Sequence, residues 1–148
     1  MSPVSVVFYK GSETLFGNAI RLWTHSPYSH CALSFNGVSP TSDLLVEAIS
    51  GFGVRQRLMP GGVPAEHWDR KDLDVTPQQC TDLYNWARGE LGCGYDWSGL
   101  TWSQVLFIPR EHPDKWFCSE FCAAAAARCN VHLKRPCTYS PGSLYKAL

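Results

Sequence analysis

The sequence predicts an α+β domain in which a small antiparallel sheet packs against a helix that begins near Cys118. Apolar and β-branched runs at 29–35 and 44–49 are separated by a polar loop, a pattern typical of neighbouring antiparallel strands. Five consecutive alanines at 123–127 favour a helix. Because alanine has little bulk, this helix can lie close against another element.

The composition indicates one globular domain spanning residues 1–148. Hydrophobic residues make up 45% and charged residues 18% of the chain, and the formal net charge is zero. Without a basic stripe, nucleic acid or an anionic membrane is not expected as the main partner. No stretch looks like a transmembrane segment or a signal peptide, so we expect a cytoplasmic protein, with lysis or a dedicated secretion route as possible exits.

The first elements are a strand and a helix. The run Val4–Tyr9 predicts a buried strand, and residues 12–14 predict the start of a helix that ends near Thr24. The apolar face of this helix is expected to consist of Leu15, Ile20, Leu22 and Trp23.

The next strand, at 29–35, has two unlike faces. One face carries large side chains, those of Cys31, Leu33 and Phe35. The other face is small and polar and carries His30, Ala32 and Ser34. We expect the alanine helix to pack on this second face.

A carboxylate, Glu47, interrupts the apolar strand at 44–49. An unpaired buried charge is costly, so Glu47 needs a partner. If the two strands pair antiparallel with residue numbers that sum to an odd value, Glu47 and His30 share a face, roughly 5 to 8 Å apart. An even sum would put them on opposite faces. Taken alone, Glu47 would pair with an arginine such as Arg55.

The remaining elements are less regular. Residues 51–55 are expected to continue the strand after a bend at the glycines, and a further strand is expected within 68–75. Thr76-Pro77 predicts a helix start, with the stop at 92–94. The segment 137–143 is expected to be irregular.

Cys118 opens the alanine helix. Ser119 or Cys118 is expected to cap the helix, and Glu120 places a negative charge in its first turn. A thiol at a helix N-terminus has a lowered pKa, which is how reactive cysteines arise. The alternative is a buried alanine-rich helix that starts with an inert cysteine.

Cysteine, histidine and carboxylate from distant parts of the chain suit acyl transfer by a thiol. Cys118 would attack a carbonyl, His30 would move the proton, and Glu47 would orient the imidazole. The oxyanion would be held by the backbone N–H of Cys118 or Ser119, with Tyr28 as a further donor. Alone, His30 would be an ordinary strand histidine, and His112 is a second candidate for the base.

A metal site is the other reading of the thiols. The soft ligands near the helix are Cys118, Cys122, Cys129, His132 and Cys137. No CxxC pair is present, so neither a metal nor a cofactor is expected. Seven cysteines without the spacing of a small secreted scaffold indicate free thiols in a reducing compartment.

Five motifs resemble, in order, those of the circularly permuted, YiiX-like branch of the NlpC-type papain-like hydrolases. They are Tyr28-Ser29-His30-Cys31-Ala32-Leu33, Val46-Glu47-Ala48, Gly94-Tyr95-Asp96, Phe117-Cys118-Ser119-Glu120-Phe121 and Ser140-Pro141-Gly142-Ser143-Leu144. The resemblance implies a permuted papain-like fold in which the histidine strand precedes the cysteine helix. It implies the same roles for Cys118, His30 and Glu47. Phe121-Cys122 departs from the usual aliphatic pair, and the loop at 59–66 has no counterpart.

We therefore expect a cysteine hydrolase of the peptidase or amidase type that cleaves an amide bond. The resemblance implies a peptide or a peptidoglycan fragment as the substrate. One alternative is an acyltransferase or thioesterase on an acyl-lipid, as in lecithin:retinol acyltransferase, and apolar walls around Cys118 would favour it. Another is a non-catalytic binding or virion component, which would lack an unusually reactive thiol.

Overall fold

The computed structural model describes residues 3–11, 15–39, 41–101, 106 and 112–148, which form a mixed α+β fold. The helix start predicted at 12–14 lies outside these ranges. The strands are β1 (Val4–Tyr9), β2 (His30–Ser39), β3 (Ser42–Ile49), β4 (Gly53–Pro60), β5 (Trp68–Asp72), β6 (Gly94–Tyr95) and β7 (Lys115–Trp116). The helices are α1 (Leu15–Thr24), α2 (Pro77–Gly89), α3 (Trp97–Leu100), α4 (Cys118–Arg128) and α5 (Pro141–Ala147).

Five strands form one antiparallel sheet in the order β4-β3-β2-β1-β5, and the short β6 and β7 pair in parallel beside it. Leu33 of β2 lies opposite Val46 of β3, so the paired residue numbers sum to an odd value. His30 and Glu47 therefore share one face of the sheet, which is the register condition set by the sequence. We call this face, which also carries Ala32, the cleft face.

The alanine helix packs on the other face, so the prediction that it covers His30, Ala32 and Ser34 is wrong. The large side chains of Cys31, Leu33 and Phe35 lie on what we call the helix face. They form the main core with the alanines of α4, namely Ala123, Ala125 and Ala126. Small side chains on a helix leave room for large ones on the strands, so small and large residues alternate across the contact.

Three of the four residues predicted to form the apolar face of α1 point to solvent, which is a second correction, while Ile20 faces inward. Leu15, Leu22 and Trp23 are 92%, 79% and 56% exposed. The inward side of α1 is formed by Gly17, which is buried, and Ile20, which is half-buried. These two residues are three positions apart and occupy one side of the helix, whereas Leu15 and Leu22 project from the opposite side.

Helix α2 begins as predicted. Thr76 is its N-cap, its hydroxyl accepts from the Gln79 N–H at 3.2 Å, and the Gln79 side chain accepts from the Thr76 N–H at 2.9 Å. This reciprocal capping box satisfies two backbone donors at the helix start. The segment predicted to be irregular instead contains a 3-10 turn, Pro136–Thr138, and the start of α5, which Ser140 caps.

Candidate active site

A cleft of about 540 Å³ opens on the cleft face. Helix α1, strands β1 and β4 and the segment 64–68 contribute to its walls, and Cys118 lies among the lining residues. Its volume is in the range of sites that bind small molecules. The lining residues are Tyr9, Gly17, Ile20, Ser29, His30, Ala48, Ile49, Ser50, Arg55, Arg57, Met59, Pro64, His67, Trp68, Tyr95 and Cys118.

Cys118 is the first residue of α4 and is 5% exposed. The predicted caps, Ser119 and Cys118, are wrong, because Phe117 is the N-cap residue and its side chain offers no cap. Glu120 fills this role: its carboxylate accepts from the Phe117 N–H at 3.4 Å. The partial positive charge at the helix start favours an anionic sulfur.

His30 and Glu47 are in direct contact. His30 Nε2 lies 2.8 Å from Glu47 Oε2, and Glu47 is 1% exposed. The second carboxylate oxygen accepts from Arg55 Nε at 3.1 Å and from Arg55 Nη2 at 3.0 Å. Burial opposes ionisation, but His30 and the neighbouring arginines outweigh it and lower the pKa of Glu47 to about 2. Glu47 is therefore a buried carboxylate that stays charged.

Cys118 and His30 hydrogen-bond to each other, and each shifts the pKa of the other toward its charged form. Burial disfavours the charged imidazole, yet hydrogen bonds to Cys118 and Glu47 outweigh it and raise the pKa of His30 to about 10. A hydrogen bond from Cys31 is the largest influence on Cys118. With His30 it outweighs burial and holds the pKa of Cys118 well below its usual value. Since Glu47 occupies Nε2, Nδ1 is the nitrogen left to face the sulfur.

Cys31 is a site residue that the sequence reasoning missed. Its thiol and its backbone both hydrogen-bond to Cys118. Burial, followed by hydrogen bonds with Cys118 and Cys122, raises the pKa of the Cys31 thiol, so it stays protonated and donates. Strand alternation separates Cys31 from His30, and because α4 was predicted to pack on the His30 face, the contact between Cys31 and Cys118 was not expected.

Tyr95 is a second such residue, since the sequence suggested mainly a turn or packing role. It lines the cleft with Cys118, and its strand pairs with β7, which ends just before α4. Burial and then the charge of Cys118 raise the pKa of Tyr95, so its phenol stays protonated. A neutral phenol beside the sulfur can donate a hydrogen bond to an oxyanion.

The Tyr28 side chain, which was predicted to be a donor in the cleft, points elsewhere, and the Ser119 side chain is also used by the fold. The Tyr28 hydroxyl donates to Asp69 at 2.6 Å, and its ring packs against Phe8 and Tyr145 in the main core. The Ser119 hydroxyl donates to the Tyr139 carbonyl. The position of Tyr28 is a correction to the prediction, whereas the hydroxyl of Ser119 leaves untouched the prediction that concerns its backbone N–H. Only the backbone N–H groups of residues 118 and 119 stay as predicted oxyanion donors.

The other residues considered from the sequence lie outside this cleft. His112 Nε2 is 2.9 Å from Ser98 Oγ and 3.9 Å from Asp96, so it belongs to a separate polar cluster. All seven cysteines are free. In the part of the chain that the structure describes, no group of three or more histidine, cysteine or acidic side chains is arranged to hold a metal ion.

Comparisons with known proteins add nothing to this geometry. A scan against protein-family models finds no match, and a search of curated proteins finds no significant match. Among the described helices, none combines the length and the apolar character needed to cross a membrane. Cys118, His30 and Glu47 are therefore the residues whose arrangement indicates a function.

Proposed function

We propose that this protein is a cysteine hydrolase that cleaves an amide bond through a thioester intermediate. Cys118 is the nucleophile, His30 the acid and base, and Glu47 the residue that orients the imidazole. The observation that carries the proposal is the continuous chain from a helix-start sulfur through His30 to a buried carboxylate 2.8 Å from the ring, at one side of an open cleft.

The reaction follows from the charges of these groups. The Cys118 thiolate attacks the amide carbon, and the carbonyl electrons move to the oxygen, which accepts hydrogen bonds from the backbone at the start of α4 and from Tyr95. His30 then gives its Nδ1 proton to the amide nitrogen, the C–N bond breaks and the amine leaves. Water, deprotonated by His30, attacks the thioester and releases a carboxylic acid and the thiolate.

A permuted papain-like fold of the NlpC type is part of the proposal. It is supported by the antiparallel sheet and by the order along the chain, in which the histidine strand β2 precedes the cysteine helix α4. The intervening β3 supplies the carboxylate.

A second candidate is an acyltransferase or thioesterase that acts on lipid esters. One observation favours it: the walls of the cleft are mostly apolar, with Ile20, Ile49, Met59 and Trp68 among them. An acyl chain suits such walls better than a charged peptide does. The first steps are the same, because the nucleophile and the thioester are shared, and the two candidates differ in the bond that is cleaved.

The test is to trap the acyl-enzyme. Wild type, Cys118→Ala and a matched Cys80→Ala variant are mixed with a panel of amide, ester and thioester substrates, and the intact proteins are weighed by mass spectrometry. We expect an acyl adduct on wild type and Cys80→Ala but none on Cys118→Ala. The substrate that gives the adduct decides between the two candidates. Equal turnover by Cys118→Ala would reject the nucleophile, and a chain without any adduct would fit a non-catalytic binding protein.

A further inference from the structure

The cleft has an excess of positive charge. Cys118 and His30 contribute no net charge as a pair, whichever of them holds the proton. His67, also in the lining, lies 3.8 Å from the Glu66 carboxylate. Arg55 and Arg57 line the cleft above a single carboxylate, that of Glu47. Among the described residues around the cleft, one positive charge therefore stays without a matching negative charge, in surroundings that are mostly apolar.

The two arginines differ in how they are used. Arg55 donates twice to Glu47, and its guanidinium lies 5.0 Å from the centre of the Phe52 ring. Arg57 approaches the same carboxylate only with Nε, at 3.5 Å. That Nε is buried and makes no hydrogen bond to any residue that the structure describes. A buried charged donor without a hydrogen bond is costly, so Arg57 is held beside Glu47 by charge alone. Because Nε itself is closed to solvent while the side chain is 40% exposed, the donors that a ligand can reach are the terminal nitrogens of the guanidinium.

Arg57 is also accessible from the cleft. Its side chain is 40% exposed and belongs to the cleft lining, as does Cys118. In the proposed reaction His30 protonates the departing group, so the leaving group lies on the His30 side of the sulfur. Glu47 and Arg57 lie beyond His30 on that side, because Arg57 contacts the carboxylate that holds His30 Nε2.

We propose that Arg57 binds an anionic group on the leaving-group side of the substrate. This rests on the proposed hydrolase function and names its substrate class: amides that join an apolar acyl group to an amine carrying a carboxylate. The apolar acyl group packs on walls that include Tyr9, Met59 and Trp68. A planar guanidinium matches a carboxylate by two parallel hydrogen bonds, which gives specificity as well as affinity.

This assignment is tested by measuring how two probes bind to the Cys118→Ser protein, which lacks the nucleophilic thiol. The two probes are N-decanoyl-glycylglycine and its C-terminal carboxamide, which differ by one charge, and their Kd values are measured by calorimetry. We expect the acid to bind at least about tenfold more tightly than the amide. Adding Arg57→Met should weaken the acid to within about twofold of the amide and leave the amide unchanged, whereas Arg57→Lys should keep part of the preference.

Arg88→Met is the matched control, since Arg88 is exposed on α2 away from the cleft. The proposal is overturned if Cys118→Ser binds both probes equally or binds neither, and no Arg57 variant is needed for that result. It is also overturned if the preference for the acid persists after Arg57→Met is added. Failure of the proposed hydrolase function would give a different pattern of results. If the preference is lost with Arg57→Met while no thioester forms on Cys118, the anion site stands and the hydrolase does not. If a thioester forms on Cys118 equally from the acid and from the amide, the hydrolase function stands and the anion site does not.

Discussion

Glu47 is the residue on which the geometry of the site depends most. Three cationic side chains surround one buried carboxylate: His30 on one oxygen, Arg55 on the other, and Arg57 close by. A buried charge is tolerated only when it is paired in this way. The arrangement fixes the orientation of the imidazole and keeps it charged. The reactivity assigned to Cys118 therefore depends on Glu47, which lies on the strand next to that of His30.

Glu47→Gln should therefore cost stability in a pH-dependent way. The folded pKa of Glu47, about 2, lies below its ordinary value of 4.5, so the ionised carboxylate stabilises the fold above about pH 4.5. This contribution is lost as the pH falls toward 2. We expect wild type to exceed Glu47→Gln by about 1.5–3 kcal/mol in free energy of unfolding at pH 7, with the difference narrowing below pH 4.5.

Urea denaturation of both proteins between pH 7 and pH 3 measures this difference. A gap that stays constant down to pH 3 would mean that Glu47 is not held ionised by its partners. A gap near zero at pH 7 would mean that the contacts of Glu47 do not stabilise the fold.

At the scale of elements, α4 depends on the small size of its alanines. Ala125 is fully buried against the sheet, whereas Ala127, two positions on, is exposed. A leucine at 125 would push the helix away from the helix face and displace the N-terminal turn that carries Cys118. We expect Ala125→Leu to lower the free energy of unfolding by about 1–3 kcal/mol, because overpacking strains both surfaces.

Ala127→Leu is the control with the same change in side chain. At an exposed helical position it should stay within about 0.5 kcal/mol of wild type. Chemical denaturation compares the three proteins. Equal losses in both variants would show that close packing on the sheet is not what the alanines provide.

At the scale of the whole molecule, a polar network ties the sheet to one wall of the cleft. Arg70 of β5 donates to Asn36 at 2.6 Å and to Asp43 at 2.7 Å. Asp43 also accepts from the Val63 N–H at 3.1 Å, and the adjoining Pro64 lines the cleft. Arg70 and Asp43 together therefore join three strands to the loop at 59–66.

Arg70→Met should leave Asp43 buried without its cation. We expect a loss of about 2–3 kcal/mol in free energy of unfolding, the scale of a hydrogen bond to a charged group with its unpaired partner. Arg88→Met, on the surface of α2, should stay within about 0.5 kcal/mol of wild type. Equal free energies of unfolding for the two variants, measured in urea, would show that this network does not stabilise the fold.

The sequence predicted most of the strands and helices, but it predicted the meeting of His30 with Glu47 only for an odd register. Strand alternation fixes which residues share a face within one strand, whereas the register between two strands had to come from the structure. It could not predict which face of β2 packs against α4. The small side chains of α4 can pack closely against a strand face of small residues or leave room for a strand face of larger ones. In the structure, the larger side chains of the helix face pack against the alanines of α4. For α1, the inward side contains Gly17, and a pattern that counts only large apolar residues overlooks it.

Cys31, Tyr95 and Arg57 show a different limit. Each acts through its position relative to Cys118 or Glu47, and single-residue reasoning gives each an ordinary role as core thiol, turn residue or surface cation. Tyr28 shows the converse. Its closeness to His30 in the chain suggested a cleft donor, but Asp69 of β5 takes its hydroxyl, and that strand lies 41 positions away.

The pH dependence of Cys118 alkylation tests the central claim most directly, because it needs no substrate. Wild type and His30→Ala are treated with iodoacetamide across pH 4–10, and modification of Cys118 is followed by mass spectrometry, with Cys80 as the internal reference. We predict that Cys118 in wild type reacts with a midpoint well below the usual value of 9.0, and that His30→Ala moves this midpoint upward toward it. A wild-type midpoint at or above 9.0, unchanged by His30→Ala, would contradict the account.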